Sequence, residues 1–215
     1  LVSSKTGVWA EMGEEVIRGI RFAIDEANTK GGVDGRKIEV AEGDDEGNPD
    51  TGRRAAEKLA RDGYNLLIGP IGSAVSLAIV PNLERWDAAY FATISKTDKL
   101  TGETCKFRSF RTVQSDAIDI AMINEWAPNI KGNNFAIIAA DYAWGRDSAA
   151  SFKKAVEAKG KTVATVLFSP LGTKDYSPYI AQLKAANVDG VWAAIPARDG
   201  INFMKQAGEF GLMPK

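Results

Sequence analysis

Apolar residues recur along this chain in two alternating rhythms. From Glu14 to Asn28 they fall at Val16, Ile17, Ile20, Ala23, Ile24 and Ala27, one face of an amphipathic helix that Gly31 and Gly32 stop. The stretch RKIEVAE (36–42) then alternates and predicts a strand. A helix over Pro49–Asp62, a strand at NLLIG (65–69), a helix opening at Ser73 and a strand at AAYFATI (88–94) follow. After GETCKFRSFRT (102–112) the alternation resumes with a helix over Ser115–Ala127, the strand NFAIIAA (134–140) and a helix over Gly145–Lys159. KTVATVLF (161–168), a helix over Tyr176–Ala186, VDGVWAAI (188–195) and a helix to Phe210 complete the series.

Strands of continuous apolar character, separated by amphipathic helices, indicate parallel sheets covered on both faces. The expected fold is α/β, doubly wound, in two lobes with the passage between them at Phe107–Asp116: lobe 1 over 1–116 and lobe 2 over 117–215. In such sheets ligands bind outside the carboxyl ends of the strands. Four predicted strand ends therefore hold the candidates: GPIGS (69–73), ATISKT (92–97), ADYAWGRD (140–147) and IPARD (195–199).

Ser73 opens a helix, where unpaired backbone N–H groups and the helix dipole favour an anion; the simpler reading is a helix cap, and the two roles are compatible. Ser95 and Thr97 stand two apart in a polar loop, so their hydroxyls point the same way in extended geometry, although both are ordinary turn residues. Trp144, in a strand-to-helix loop, is either a stacking wall for an apolar ligand or folded back onto its own lobe, whereas Trp192 sits inside a strand as core. The acidic run EGDDEGNPD (42–50) fits no calcium-loop spacing and reads as a solvated loop before a helix.

Composition narrows the functions. The 215 residues contain no histidine and one cysteine, which removes histidine-based triads, zinc-finger spacings and any internal disulfide. A net charge of -1 gives no basic footprint for nucleic acid, and there is neither a phosphate-loop nor a dinucleotide fingerprint. No apolar run reaches membrane-spanning length, no signal-peptide regions stand at Leu1, and a start without Met suits a processed or trimmed product. Carboxylate pairs, Lys/Ser chemistry such as a Lys96/Ser95 dyad, and bound cofactors are what remain for catalysis, and no enzyme is expected.

Several stretches in order, TGVWAEMGEEVIRGIRFAIDEANTKGGVDGRKIEV, IGPIGSAVSLAIVP, LTGETCKFRSFRTVQSD, DYAWGRDSAASFKKAVEAKG and DYSPYIAQLKAANVDGVWAA, resemble the leucine/isoleucine/valine-binding proteins. These are type I periplasmic solute receptors of bacterial ABC importers. The resemblance runs nearly end to end. It implies two Rossmann-like lobes joined by a hinge, an exported periplasmic protein working as a monomer, a small carboxylate ligand, an inner-membrane permease as partner, no cofactor and no catalysis. It places the ligand carboxylate on Ser73 and on the loop of Ser95 and Thr97.

Three positions depart from the amino-acid-binding pattern. Met12 stands where an aromatic residue often precedes the glycine of AxxG, Trp144 where tyrosine is common, and Pro196-Ala197-Arg198 at a strand end that is often aromatic. Against the family the chain looks truncated at both ends, without the segment that usually carries the acidic partner of a ligand ammonium. At the visible strand ends Asp141 and Asp199 are the acidic candidates, each also a potential cap. The expected ligand is an organic carboxylate with an apolar or aromatic body, lined by Met12, Ser73, Ser95, Thr97, Trp144 and Arg198, with a hydrophobic amino acid close behind. A cytoplasmic ligand-sensing regulator on the same fold is the alternative.

Overall fold

A computed structural model describes residues 1–126 and 131–213, without the side chains of 123–126. The chain divides into two compact units, Leu1–Val113 and Gln114–Lys215.

In the first unit, β1 (Val2–Ser3) pairs in parallel with β2 (Gly43–Asp44), and β3 (Leu66–Ile68), β4 (Ala89–Ala92) and β5 (Ser109–Arg111) form a parallel sheet in that order. Between them lie α1 (Ala10–Thr29), α2 (Pro49–Arg61) and α3 (Ser73–Ile79). Helix α2 is well signposted: Asn48 accepts hydrogen bonds from the N–H groups of Asp50 and Thr51, Pro49 follows, and Lys58 and Arg61 sit in the last turn. Leu67, Tyr90 and Ala92 point inward against Ala56, Leu59, Val75, Ile79 and Leu83.

Three expectations for this unit are corrected. The strand expected at 36–42 is found at Gly43–Asp44, where Gly43 N–H donates to the Leu1 carbonyl (2.9 Å) and Asp45 N–H to that of Ser3 (3.2 Å). Further back, Ile38 is held instead by the Asn28 amide, which donates to its carbonyl (2.9 Å) and accepts from its N–H (2.7 Å). Strand β5 lies inside the segment read as a passage, since three residues with a charge at one end carry no apolar run. Nor is the β3–β4–β5 sheet covered on both faces: Leu66 is 69% and Phe110 48% exposed.

The second unit follows the pattern closely. Strands β7 (Thr162–Ser169), β6 (Asn134–Ala140) and β8 (Gly190–Ala194) form a parallel sheet with β6 in the centre. Period-two alternation splits the β6 side chains between two cores. Phe135, Ile137 and Ala139 pack on α5 (Ala143–Glu157), while Ala136 and Ile138 meet α6 (Ser177–Ala185) and α7 (Ala197–Glu209). Helix α4 (Asp116–Trp126) precedes β6; its expected last residue, Ala127, lies outside the described residues.

One device is repeated in both units. A Cβ added to Gly13 would stand 1.7 Å from the Ser4 carbonyl oxygen, and one added to Gly145 would stand 2.0 Å from that of Ala140. Both helices thus rest on a strand-end carbonyl through a residue that only glycine can supply.

Candidate functional site

The carboxyl ends of β3 and β4 bring Ser73, Ser95 and Thr97 into one buried cluster. Ser73 is the first residue of α3, and its Oγ accepts a long hydrogen bond from the Thr97 N–H at 3.4 Å. A hydroxyl that accepts there keeps its own proton to donate. The cap at this helix is Gly72, with no side-chain bond, which corrects the expected capping role of Ser73. Helix geometry leaves the N–H groups of Ser73 and Ala74 without intrahelical acceptors, while Val75 and Ser76 donate to the Gly72 carbonyl.

The two hydroxyls of the following loop do not act as a pair. Ser95 Oγ is turned into the unit, bonded to Ser76 Oγ and to the carbonyls of Pro70 (3.2 Å) and Ile71 (3.4 Å). Ser76 Oγ also meets the Tyr90 hydroxyl at 2.7 Å, and burial pushes that phenol above its ordinary range. Ser95 is therefore a structural member of the site and no nucleophile offered to a base. Thr97 contributes its backbone, with N–H to Ser73 and carbonyl to Arg111. Ser76, Tyr90 and Arg111 were missed in the sequence; the inward place of Tyr90 in AAYFATI, whose hydroxyl must find a partner, was the available signal.

The acidic run is exposed at Glu46 and Asp50, as a solvated loop would be, but not at Asp45. Asp45 is 0% exposed: its Oδ1 accepts from Ser4 Oγ and from the Gly47 N–H (2.8 Å), and Oδ2 has no partner among the described residues. Burial raises its pKa above the ordinary carboxylate value, against the pull of the Ser4 and Gly47 hydrogen bonds. A carboxyl whose folded pKa is raised stabilises the fold below its unfolded pKa, and that contribution is lost as pH rises through the folded value. Asp45→Asn keeps the acceptor and removes the titration. Its thermal midpoint should therefore gain on wild type as pH rises from about 4 to about 7. A difference independent of pH in parallel melts would rule this out.

Met12 is half-buried in the first turn of α1, directly before Gly13. In the second unit Trp144 belongs to the first turn of α5, not to a loop, and its ring packs on the core of Phe135, Phe152 and Ala194. The ring thus has a core position that periodicity did not show. Its Nε1 is buried without a hydrogen-bond partner among the described residues, and Tyr142 lies 5.9 Å away. Trp192 stacks on Phe152 at 4.7 Å and donates to Ser148 Oγ at 3.2 Å. Arg198 is exposed in the first turn of α7.

Both acidic candidates of this unit are engaged. Asp199 is buried and accepts the Gly172 N–H at 2.7 Å, and exposed Asp141 pairs with Arg146. Among the described residues no cluster of three or more metal-ligating side chains exists, and no helix is long and apolar enough to cross a membrane.

Two parallel α/β units with buried hydroxyls and an open helix end at the carboxyl edge of the strands have the build of solute receptors. The periplasmic binding protein family matches residues 1–215, and the chain belongs to it. The Leu/Ile/Val-binding protein homolog 2 of Brucella abortus is 30% identical over 209 residues, covering 96% of this chain and 56% of that one. A solute-binding protein of an ABC transporter from Rhodopseudomonas palustris BisB5, solved with 3,4-dihydroxybenzoic acid, is 30% identical with a TM-score of 0.88, over 98% of this chain and 57% of that one. A periplasmic binding protein from Burkholderia mallei shares the fold at a TM-score of 0.90 and 24% identity, over 98% of this chain and 56% of that one. The chain spans about half the length of the curated relatives it matches.

Proposed function

We propose that this chain is the ligand-binding part of a periplasmic receptor for an ABC importer, taking a small organic carboxylate and passing it to an inner-membrane permease. It performs no chemistry on the solute. The observation that carries the reading is the buried Ser73–Thr97 contact at the carboxyl ends of β3 and β4, where the Ser73 hydroxyl accepts from the Thr97 N–H and keeps its own proton to donate. A carboxylate placed there gains charge-assisted hydrogen bonds without displacing an internal acid. Met12, at the start of α1 in the same unit, supplies apolar surface for the body of the ligand.

An aromatic acid is favoured over an amino acid. A ligand ammonium needs an anion, because a buried unpaired charge is costly, and exposed Asp141 is already paired with Arg146. The relative solved with 3,4-dihydroxybenzoic acid supports the same class. Calorimetric titration with 3,4-dihydroxybenzoate and with leucine tests this: saturable heat is expected from the aromatic acid. Binding of leucine alone would transfer the chain to the amino-acid receptors.

A further inference from the structure

Arg111 closes β5, in register with Ala92 at the end of β4, and its side chain overhangs the loop that leaves β4. Its guanidinium donates to the carbonyl of Ser95 (3.3 Å), the carbonyl of Thr97 (2.9 Å) and Thr101 Oγ1 (2.7 Å). One planar fork thus joins three points of the loop, a task a point-like ammonium cannot copy. The same loop is pinned from inside by the Ser95 hydroxyl on Ser76, Pro70 and Ile71. Between the two ties lies the Thr97 N–H that meets Ser73 Oγ.

We propose that Arg111 is the positioning residue of the carboxylate anchor, holding the 95–101 loop against Ser73 and placing a permanent cation one carbonyl away from it. The inference rests on the carboxylate reading above. Arg111 does not touch the ligand: it acts through the Thr97 backbone, which sets Ser73 Oγ in its accepting role and directs the hydroxyl proton outward. The guanidinium is half-buried, and burial lowers its pKa while the nearby Asp98 carboxylate raises it; it stays charged at any working pH. In a partly desolvated site a fixed cation favours an anionic ligand over a neutral one of the same shape.

The test is a double-mutant cycle on the full chain. Wild type, Arg111→Met, Arg111→Lys, Ser73→Ala and the Ser73→Ala/Arg111→Met double variant are titrated with 3,4-dihydroxybenzoate and with its primary amide, and each unliganded protein is melted. Arg111→Met should weaken the acid by about tenfold or more and the amide by less. In the Ser73→Ala background Arg111→Met should weaken the acid by clearly less than it does in wild type, because the contact is already lost and only the pull of the cation remains to be removed. Arg111→Lys should recover part of the preference for acid over amide but not the full affinity. Losses that multiply in the double variant, or equal losses for acid and amide, overturn the proposal. Should Arg111→Met fail to fold, Arg111→Lys decides: wild-type affinity and preference there also overturn it. A wild type that takes leucine and neither aromatic compound refutes the aromatic reading alone, and the cycle is then read with leucine and leucinamide. A wild type that binds no carboxylate overturns both.

Discussion

Phe152→Ala is expected to destabilise the second unit by about 3–5 kcal/mol, the scale for deleting a buried aromatic ring. The ring is 4% exposed, stacks on Trp192 at 4.7 Å with an interplanar angle of 7°, and meets Phe135 edge-on at 6.0 Å. Truncation removes both aromatic contacts and leaves a cavity between α5 and the β6–β8 strands that neighbouring backbone cannot close. The loss should show in denaturant unfolding followed by far-ultraviolet circular dichroism and by the fluorescence of Trp192. A shift below about 1 kcal/mol would mean that this core repacks and that the ring stack does not organise it.

Ser73→Ala is expected to weaken carboxylate binding by about 1.5–3 kcal/mol, the scale of a hydrogen bond to a charged group. Stability should change less. The helix is capped by Gly72, so the variant forfeits no cap, only the long bond from the Thr97 N–H. Calorimetry gives the affinity and an unliganded melt gives the stability; an unaltered affinity would remove Ser73 from the anchor. A parallel loss of thermal midpoint and affinity would instead make it a structural serine.

The sequence revealed most where a single rhythm governs many residues. NFAIIAA is the strand Asn134–Ala140 from end to end, because every residue of a central parallel strand is apolar or small and no neighbour competes for the pattern. β5 was hidden for the opposite reason: three residues on a sheet edge have too little burial to leave a signature. The proposed anchor was legible as a place, since Ser73 opens a helix after an apolar strand, but the bonding around it was not. Which way Ser95 turns depends on Ser76 and Tyr90, 19 residues away from Ser95 along the chain in one case. Asp45 was misread because charge in a turn is normally solvated, and only the fold shows that the turn is packed beneath α2 and α3, with the Asp45 Cβ 3.0 Å from where a Cβ on Gly52 would stand.

The glycines under α1 and α5 carry a consequence for how such a protein changes over time. Gly13 and Gly145 seat their helices on the carbonyls of Ser4 and Ala140 through backbone alone, and Met12 and Trp144 are the residues immediately before them. Helix α1 is thus fastened one position away from Met12, the side chain proposed to face the solute. Exchanging Met12 leaves the glycine seat untouched, whereas a smaller residue at Trp144 would leave a gap against the Phe135 and Phe152 core. Beside such a seat the side chain is open to exchange while the glycine that makes the seat is not.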